Sequence, residues 1–138
     1  MMDIKKHLMQ VFTLDKEILK LTEQLAELRA RQQAPGGRYD GLGVQKTRNV
    51  TVQEDLSIKA MRTEEKIALA KVKLLQIETK IHASSRHLPP MQRAVITWRY
   101  ICRFIWKDIA ERAEMSEMQL MRVHNEALKT MEAHFKAA

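Results

Sequence analysis

Histidine and cysteine side chains are among the groups in this 138-residue chain that could act as nucleophiles, general bases or metal ligands. The five histidines are scattered, and the nearest two, His82 and His87, are five residues apart and share no helical face. Cys102 lacks a partner and lies in an apolar run, which favours a small buried thiol over a nucleophile. No Lys-Ser or Lys-Thr follows Gly36-Gly37 as in a phosphate-binding loop. The sequence therefore predicts neither an enzyme nor a metal or cofactor site.

A different kind of chemistry is open to the polar residues after Ser116. Glutamine can hydrogen-bond to adenine, and glutamate can accept a hydrogen bond from cytosine, so these residues could contact bases. The chain carries 24 Lys and Arg against 17 Asp and Glu, a formal charge of +7, and its last segment, residues 86–138, is the most basic. That balance fits nucleic-acid binding but does not require it, since many basic proteins bind none.

The composition restricts where the chain can reside. Its longest uninterrupted apolar run, residues 67–70, is too short for a membrane span or a signal-peptide core. A single cysteine forms no internal disulfide, which favours a reducing cytoplasm. We therefore expect a cytoplasmic protein with no membrane partner.

Glycines and prolines divide the chain into three helical segments, and the predicted fold class is all-α. All four glycines lie within residues 36–43, which predicts a flexible loop from Ala34 to about Val52. Pro89-Pro90 ends one helix and can open the next. We expect residues 1–88 to form two long helices that serve oligomerisation or partner binding, and residues 89–138 to form a separate domain.

Both long segments carry apolar residues at alternating steps of three and four, the spacing of a helix-packing seam. The first segment has one such seam, formed by Ile4, His7, Val11, Leu14, Ile18, Leu21, Leu25 and Leu28. The second segment has two, one of Leu56, Ala60, Thr63, Ile67, Ala70, Leu74, Ile77, Ile81 and Leu88, and a neighbouring one of Ile58, Met61, Ala68, Val72 and Leu75. Either an intramolecular hairpin or a dimeric coiled coil would bury the first two seams. The third is left for the C-terminal segment or another subunit.

The last segment is predicted to form three short helices, at about 90–103, 106–113 and 116–133. Ser116 and Gln119 have capping-box spacing, and small Ala110 before the break lets two helices cross closely. This arrangement is typical of a helix-turn-helix, whose second helix offers its first turns to the major groove. In that pose Gln119 and Arg122 would face base edges. Glu117, Met118 and Asn125 would flank them, and phosphate contacts are predicted for Arg99, Arg103 and Lys107.

Residues 89–131 resemble region four of bacterial sigma factors and, more closely, the small phage and prophage regulators of the ArpU and RinA kind. The resemblance is carried by residues 92–100, by 106–110, by Ser116 and Leu120, and by residues 122–128. It differs at Arg103, where the family usually has glycine, and at Ile105, where it has a Ser or Thr cap. The turn, usually Leu-Gly, is here Ala113-Glu114, and glycine is favoured there because the position often needs positive φ.

The resemblance implies a sequence-specific DNA-binding regulator of phage or prophage transcription, acting on late genes in a bacterial host cell. Its implied partner is double-stranded DNA, and it leaves RNA polymerase and a second copy of the chain, joined through the N-terminal helices, open as further partners. Two alternatives remain. One is a small terminase-like DNA-packaging subunit, and the other is a helical adaptor that binds RNA polymerase or another protein with little DNA contact.

Overall fold

The computed structural model describes the backbone of residues 3–33 and 43–137, and the side chains of 3–33 and 52–135. The fold is all-α, as predicted, and the described residues contain no strand. Its helices are α1 (Ile4–Gln33), α2 (Gly43–Ser85), α3 (Pro90–Ile96), α4 (Trp106–Ala113) and α5 (Glu117–Ala137). Within the described ranges, none is long and apolar enough to cross a membrane.

Helix α2 begins earlier than the glycine pattern predicts. It starts at Gly43, so the second half of the expected loop over 34–52 is helical, and that part of the prediction is wrong. Residues 44–52 contain neither glycine nor proline, and their β-branched and asparagine residues disfavour a helix only weakly. Residues 34–42 lie outside the part of the chain that the structure describes.

The chain divides into two compact units, and the boundary differs from the predicted one near residue 88. A terminal unit comprises Met1–Asp15 and Lys73–Ala138, and a middle unit comprises Lys16–Val72. The start of α1 and the end of α2 belong with the C-terminal helices because their apolar residues enter the same core. That core is formed by Ile4, Leu8, Val11, Ile81, Leu88, Ile96, Tyr100, Ala127 and Met131.

A second apolar cluster of the terminal unit holds the three shorter helices together. Val95 of α3, Ile109 and Ala110 of α4 and Leu120 of α5 are buried in it. They are surrounded by half-buried residues: Trp98, Phe104, Trp106, Met115, Met121 and Val123. Burial of these apolar surfaces, worth about 25 cal/mol per Å², fixes α5 against α4.

In the middle unit the seam of α1 and the first seam of α2 are buried or half-buried, whereas the second predicted seam of α2 is exposed. Leu21 of α1 and the seam of α2 from Leu56 to Ala70 face inward. The Arg29 guanidinium forms an ion pair with Glu64, and the amide of Gln32 donates to the hydroxyl of Ser57 over 2.9 Å. A neighbouring face of α2 stays exposed, and we call it the outer stripe: Ile58, Met61, Ala68, Leu69 and Val72.

The segment after α3 differs from the single helix predicted over 90–103. The chain continues as a π-helical turn over Thr97–Ile101, and Arg103 then adopts a left-handed conformation with φ 59°. The π-helical turn widens the helix by one residue and brings Arg99 and Tyr100 into the terminal core. Cys102 follows this turn and is exposed, so the expectation of a buried thiol is wrong.

Candidate nucleic-acid interface

The connection between α4 and α5 is a tight left-handed turn. Helix α4 spans the predicted residues and ends because Glu114 takes φ 54° and ψ 46°. The amide of Met115 donates to the Ala110 carbonyl over 3.1 Å, and the amide of Glu114 donates to the Glu111 carbonyl over 3.3 Å. This pair of bonds is a Schellman motif, which a left-handed residue closes and glycine usually supplies. The turn is therefore built at the position where sequence reasoning anticipated positive φ.

Helix α5 opens with the predicted capping box. The amide of Gln119 donates to the Ser116 hydroxyl and the amide of Ser116 donates to Oε1 of Gln119, each over 3.2 Å. Two backbone donors at the start of the helix are thereby satisfied. The side chain of Gln119 is exposed, but its oxygen is already used, so a bidentate contact with adenine would require the cap to open.

The two faces of α5 differ in burial. Leu120, His124, Ala127 and Met131 are buried and anchor the helix. The predicted base-contact residues all lie on the exposed side: Glu117, Met118, Gln119, Arg122 and Asn125. Met118 is 70% exposed. All five side chains are therefore accessible in the first turns of α5.

Arg99 is held inside the protein, which corrects the prediction that it contacts phosphates. Its guanidinium lies 4.6 Å from the ring centre of Phe12 and 4.5 Å from that of Trp106. One of its nitrogens donates to the Phe104 carbonyl over 3.0 Å. Burial lowers the pKa of Arg99, with the nearby Tyr100 acting in the opposite direction. A planar cation between two aromatic rings is a packing element, and its face is covered.

Arg103 is also occupied, so its predicted phosphate contact is wrong for the same kind of reason. Its guanidinium forms ion pairs with Asp15 of α1 and with Glu78 of α2, the latter over 2.7 Å, and donates to the Ile101 carbonyl. Burial would lower the pKa of Arg103, but the hydrogen bonds and charges of the two carboxylates raise it above its usual value. Two carboxylates already compensate this charge.

Lys107 keeps the position that the sequence predicts. It is exposed on the first turn of α4, close in sequence to the turn that leads into α5. An open groove beside that turn is lined by Lys107 together with three acidic residues, Glu111, Glu114 and Glu117. The basic groups accessible on α4 and α5 are Lys107, Arg112, Arg122 and Lys129.

A buried hydrogen-bonded pair, Tyr100 and His124, joins the π-helical turn to the inner face of α5. The hydroxyl of Tyr100 and Nε2 of His124 are 2.6 Å apart, and the His124 ring meets Trp106 edge-on at 4.8 Å. Burial raises the pKa of Tyr100 to about 12, and burial with the charges of Arg99 and Lys5 lowers the pKa of His124 to about 4. Both groups are therefore neutral at pH 7, and one hydrogen bond joins the phenol to the imidazole. His124 packs inward.

The sequence analysis did not identify the residues that contact Arg99 and Arg103. Phe12, Asp15 and Glu78 lie at least 25 residues from the arginine that each one contacts. No local pattern links residues so far apart in the chain. A basic residue in a helix-turn-helix segment gives no sign of whether its charge is used internally.

The described residues were also compared with the requirements of a metal site. Over 3–33 and 43–137, no three His, Cys, Asp or Glu side chains are grouped so that they could hold a metal ion. Comparison of the chain with profiles of known protein families, with curated proteins and with solved structures gives no match.

Proposed function

We propose that this protein is a DNA-binding transcriptional regulator of the phage type that inserts the first turns of α5 into the major groove. The observation that carries the proposal is the exposed edge of α5, presented by a capped N-terminus and a tight turn after α4. The axis of α5 is anchored by buried residues, so its exposed side chains start from a fixed position. A groove reader needs that combination of a rigid helix and an accessible N-terminal edge.

Two backbone positions support the resemblance to sigma region four. In the described part of the chain, Arg103 and Glu114 are the residues other than glycine that have positive φ. They are also the two positions at which the resembled family has glycine. Left-handed residues at these two positions are what the resemblance predicts, because such turns set where the next helix begins.

The side chains are assigned to different contacts. Arg122 and Asn125 are the proposed base readers, because both are exposed and neither takes part in the helix cap. Glu117 and Met118 flank them, and Gln119 holds the helix end. Lys107 is the proposed phosphate contact that remains from the predicted set, and Arg112 and Lys129 are further candidates by position.

Competitive binding to DNA tests this proposal. A fluorescent duplex of about 30 base pairs, enriched by repeated selection on the purified protein, should bind with an affinity that falls steeply with salt. Arg122→Ala and Asn125→Ala should each relax discrimination between the selected and a scrambled duplex. Lys107→Ala should weaken both duplexes equally and reduce the salt slope by about one.

The matched control is Lys71→Ala, which removes the same charge from an exposed site on α2. It should leave the affinity unchanged. If no sequence is enriched and no salt-sensitive binding is detected, the proposal is wrong.

One observation favours a second candidate, a helical adaptor for RNA polymerase. The turn region carries Glu111, Glu114 and Glu117, which repel phosphates, and the highly exposed Met118 is suited to an adaptable protein contact. Binding of the protein to purified bacterial RNA polymerase on a sensor chip distinguishes the adaptor from the DNA-binding regulator. An adaptor would bind it through the acidic turn and lose affinity on Glu114→Gln and Met118→Ala, with no enriched duplex.

We further propose that the chain forms a homodimer through the outer stripe of α2. The stripe repeats apolar residues at coiled-coil spacing, and its four large members are exposed in the middle unit. An exposed apolar surface of this regularity is typical of a helix that packs on another helix. A dimer would also match the two-fold symmetry common in operators of helix-turn-helix proteins.

A further inference from the structure

A cavity in the terminal unit lies between α1 and α2, away from the helices of the proposed DNA interface. It has a volume of about 420 Å³. Its apolar part is formed by Leu14 and Ile77, and its polar lining comprises His7, Gln10, Thr13, Lys73, Gln76 and Lys80. Small-molecule sites have this makeup, with apolar walls and a few convergent polar groups.

His7 is the feature that distinguishes this cavity from an ordinary groove. Its side chain is 4% exposed, and its ring packs on Phe135 with centroids 4.9 Å apart. The Nε2 atom is buried and has no hydrogen-bond partner. A buried polar nitrogen without a partner costs about 1–3 kcal/mol, so such atoms usually mark a place where another group binds.

The charges around His7 favour an anion as that group. Lys73 and Lys80 lie two turns apart on α2, and both are exposed. Within the described residues neither lysine forms an ion pair, and no acidic residue lines the cavity. Burial lowers the pKa of His7, and the charge of Lys80 lowers it further.

We infer that this cavity binds a small oxyanion carried on an apolar group, such as a phosphate monoester or a carboxylate. The anion contacts Lys73 and Lys80, and the His7 ring turns toward the cavity so that its buried Nε2 can donate a hydrogen bond to it. The apolar group lies against Leu14 and Ile77. Gln10, Thr13 and Gln76 are placed to satisfy the remaining oxygens.

Calorimetry on the full-length protein tests this site with phenyl phosphate and benzoate as probes. Each oxyanion should bind saturably at one site, and phenol, which lacks the charge, should bind far more weakly. Lys73→Ala/Lys80→Ala should weaken binding about tenfold or more, the effect of losing a charge-assisted hydrogen bond. Lys66→Ala/Lys71→Ala, on exposed parts of α2 outside the cavity, should leave it unchanged.

His7 provides a second readout that a purely electrostatic attraction would not move. The pKa of the His7 ring, followed by NMR, should rise when the anion binds, because a negative charge then joins Lys73 and Lys80 around it; Phe135, which packs on the ring from α5, brings no charge. His7→Phe keeps the packing on Phe135 and should weaken both oxyanions.

Three results would overturn the inference. They are no saturable binding of either oxyanion, an equal loss of oxyanion affinity in the two double-lysine variants, or an affinity for phenol equal to that for the oxyanions. The inference is separate from DNA binding. Lys107→Ala should not change the affinity for phenyl phosphate, so the two proposals fail independently.

Discussion

Arg103 and Glu114 share an unusual backbone conformation, but their side chains make different contacts. Arg103 and Glu114 both have φ between 54° and 59°, a region that costs residues other than glycine about 1–2 kcal/mol. The ion pairs of Arg103 with Asp15 and Glu78 offset that cost. No such contact is found at Glu114, whose side chain is exposed. The strain at Glu114 is therefore the one that substitution can relieve.

We expect Glu114→Gly to raise the free energy of unfolding by about 0.5–1 kcal/mol, the relief of strain less the added entropy of the unfolded chain. Glu111→Gly is the matched control. It removes the same charge inside α4, where glycine costs about 1 kcal/mol. Urea unfolding measures both variants. Destabilisation of Glu114→Gly would mean that its side chain makes a contact that offsets the strain.

His124 gives the stability of the protein a defined pH dependence. Its pKa is about 4 in the folded state, below the ordinary 6.5, because it is buried near Arg99 and Lys5. Between these two values the unfolded chain takes up a proton that the folded protein does not. Stability should therefore fall as the pH decreases from 6.5 to 4, by roughly 3 kcal/mol for this group.

The lowered pKa of His7 contributes in the same direction. Urea titrations at several pH values measure the decline, and His124→Gln should make it shallower because glutamine still accepts from Tyr100 but does not titrate. Identical slopes for the two proteins would contradict the assignment.

At the scale of elements, the connection from α4 to α5 depends on a few local bonds. The Ser116 hydroxyl satisfies one donor of α5, and the loss of such a cap costs about 1 kcal/mol. We expect Ser116→Ala to destabilise the protein by that amount and to increase amide exchange at residues 117–119. Thr130→Ala, at an exposed site within α5, is the control and should change stability by less than about 0.5 kcal/mol. Equal effects of the two substitutions would mean that the cap contributes nothing.

Local signals explain which elements the sequence predicts well. The bounds of α4 and the cap at Ser116 are encoded within a few neighbouring residues, and the structure has both, whereas the left-handed Glu114 goes against the preference for glycine at such a position. The π-helical turn has no such signal, because it depends on how Arg99 and Tyr100 fit against α1. The candidate site was likewise predicted where it depends on local signals and not where it depends on distant contacts. The exposed edge of α5 follows from helical periodicity, whereas the loss of two arginines from it depends on contacts distant in sequence.

At the scale of the whole molecule, the fold does not explain why one apolar face of α2 is exposed. The predicted seam of α1 and the first predicted seam of α2 are covered, whereas the outer stripe of α2, which contains most of the second, is not. Met61 and Leu69, two of its large members, are 60% and 63% exposed. Scattered apolar residues on a surface are ordinary, but a stripe at heptad spacing is not. Its burial against a second copy would join two DNA-binding edges in one particle, which the affinity for a symmetric operator requires.

We expect the protein to be a dimer by light scattering coupled to size-exclusion chromatography, and Met61→Glu/Leu69→Glu to be a monomer. Two buried carboxylates would face an apolar partner surface, a cost that a marginal helix interface does not tolerate. Leu19→Glu is the control, because Leu19 is 61% exposed on α1 and lies outside the stripe. It should remain a dimer, and circular dichroism should show equal helix content in all three proteins. If the wild-type protein is a monomer, or if the doubly substituted protein is still a dimer, the outer stripe is not the dimer interface. In the first case the proposed DNA binding would have to be achieved by one copy on an asymmetric site.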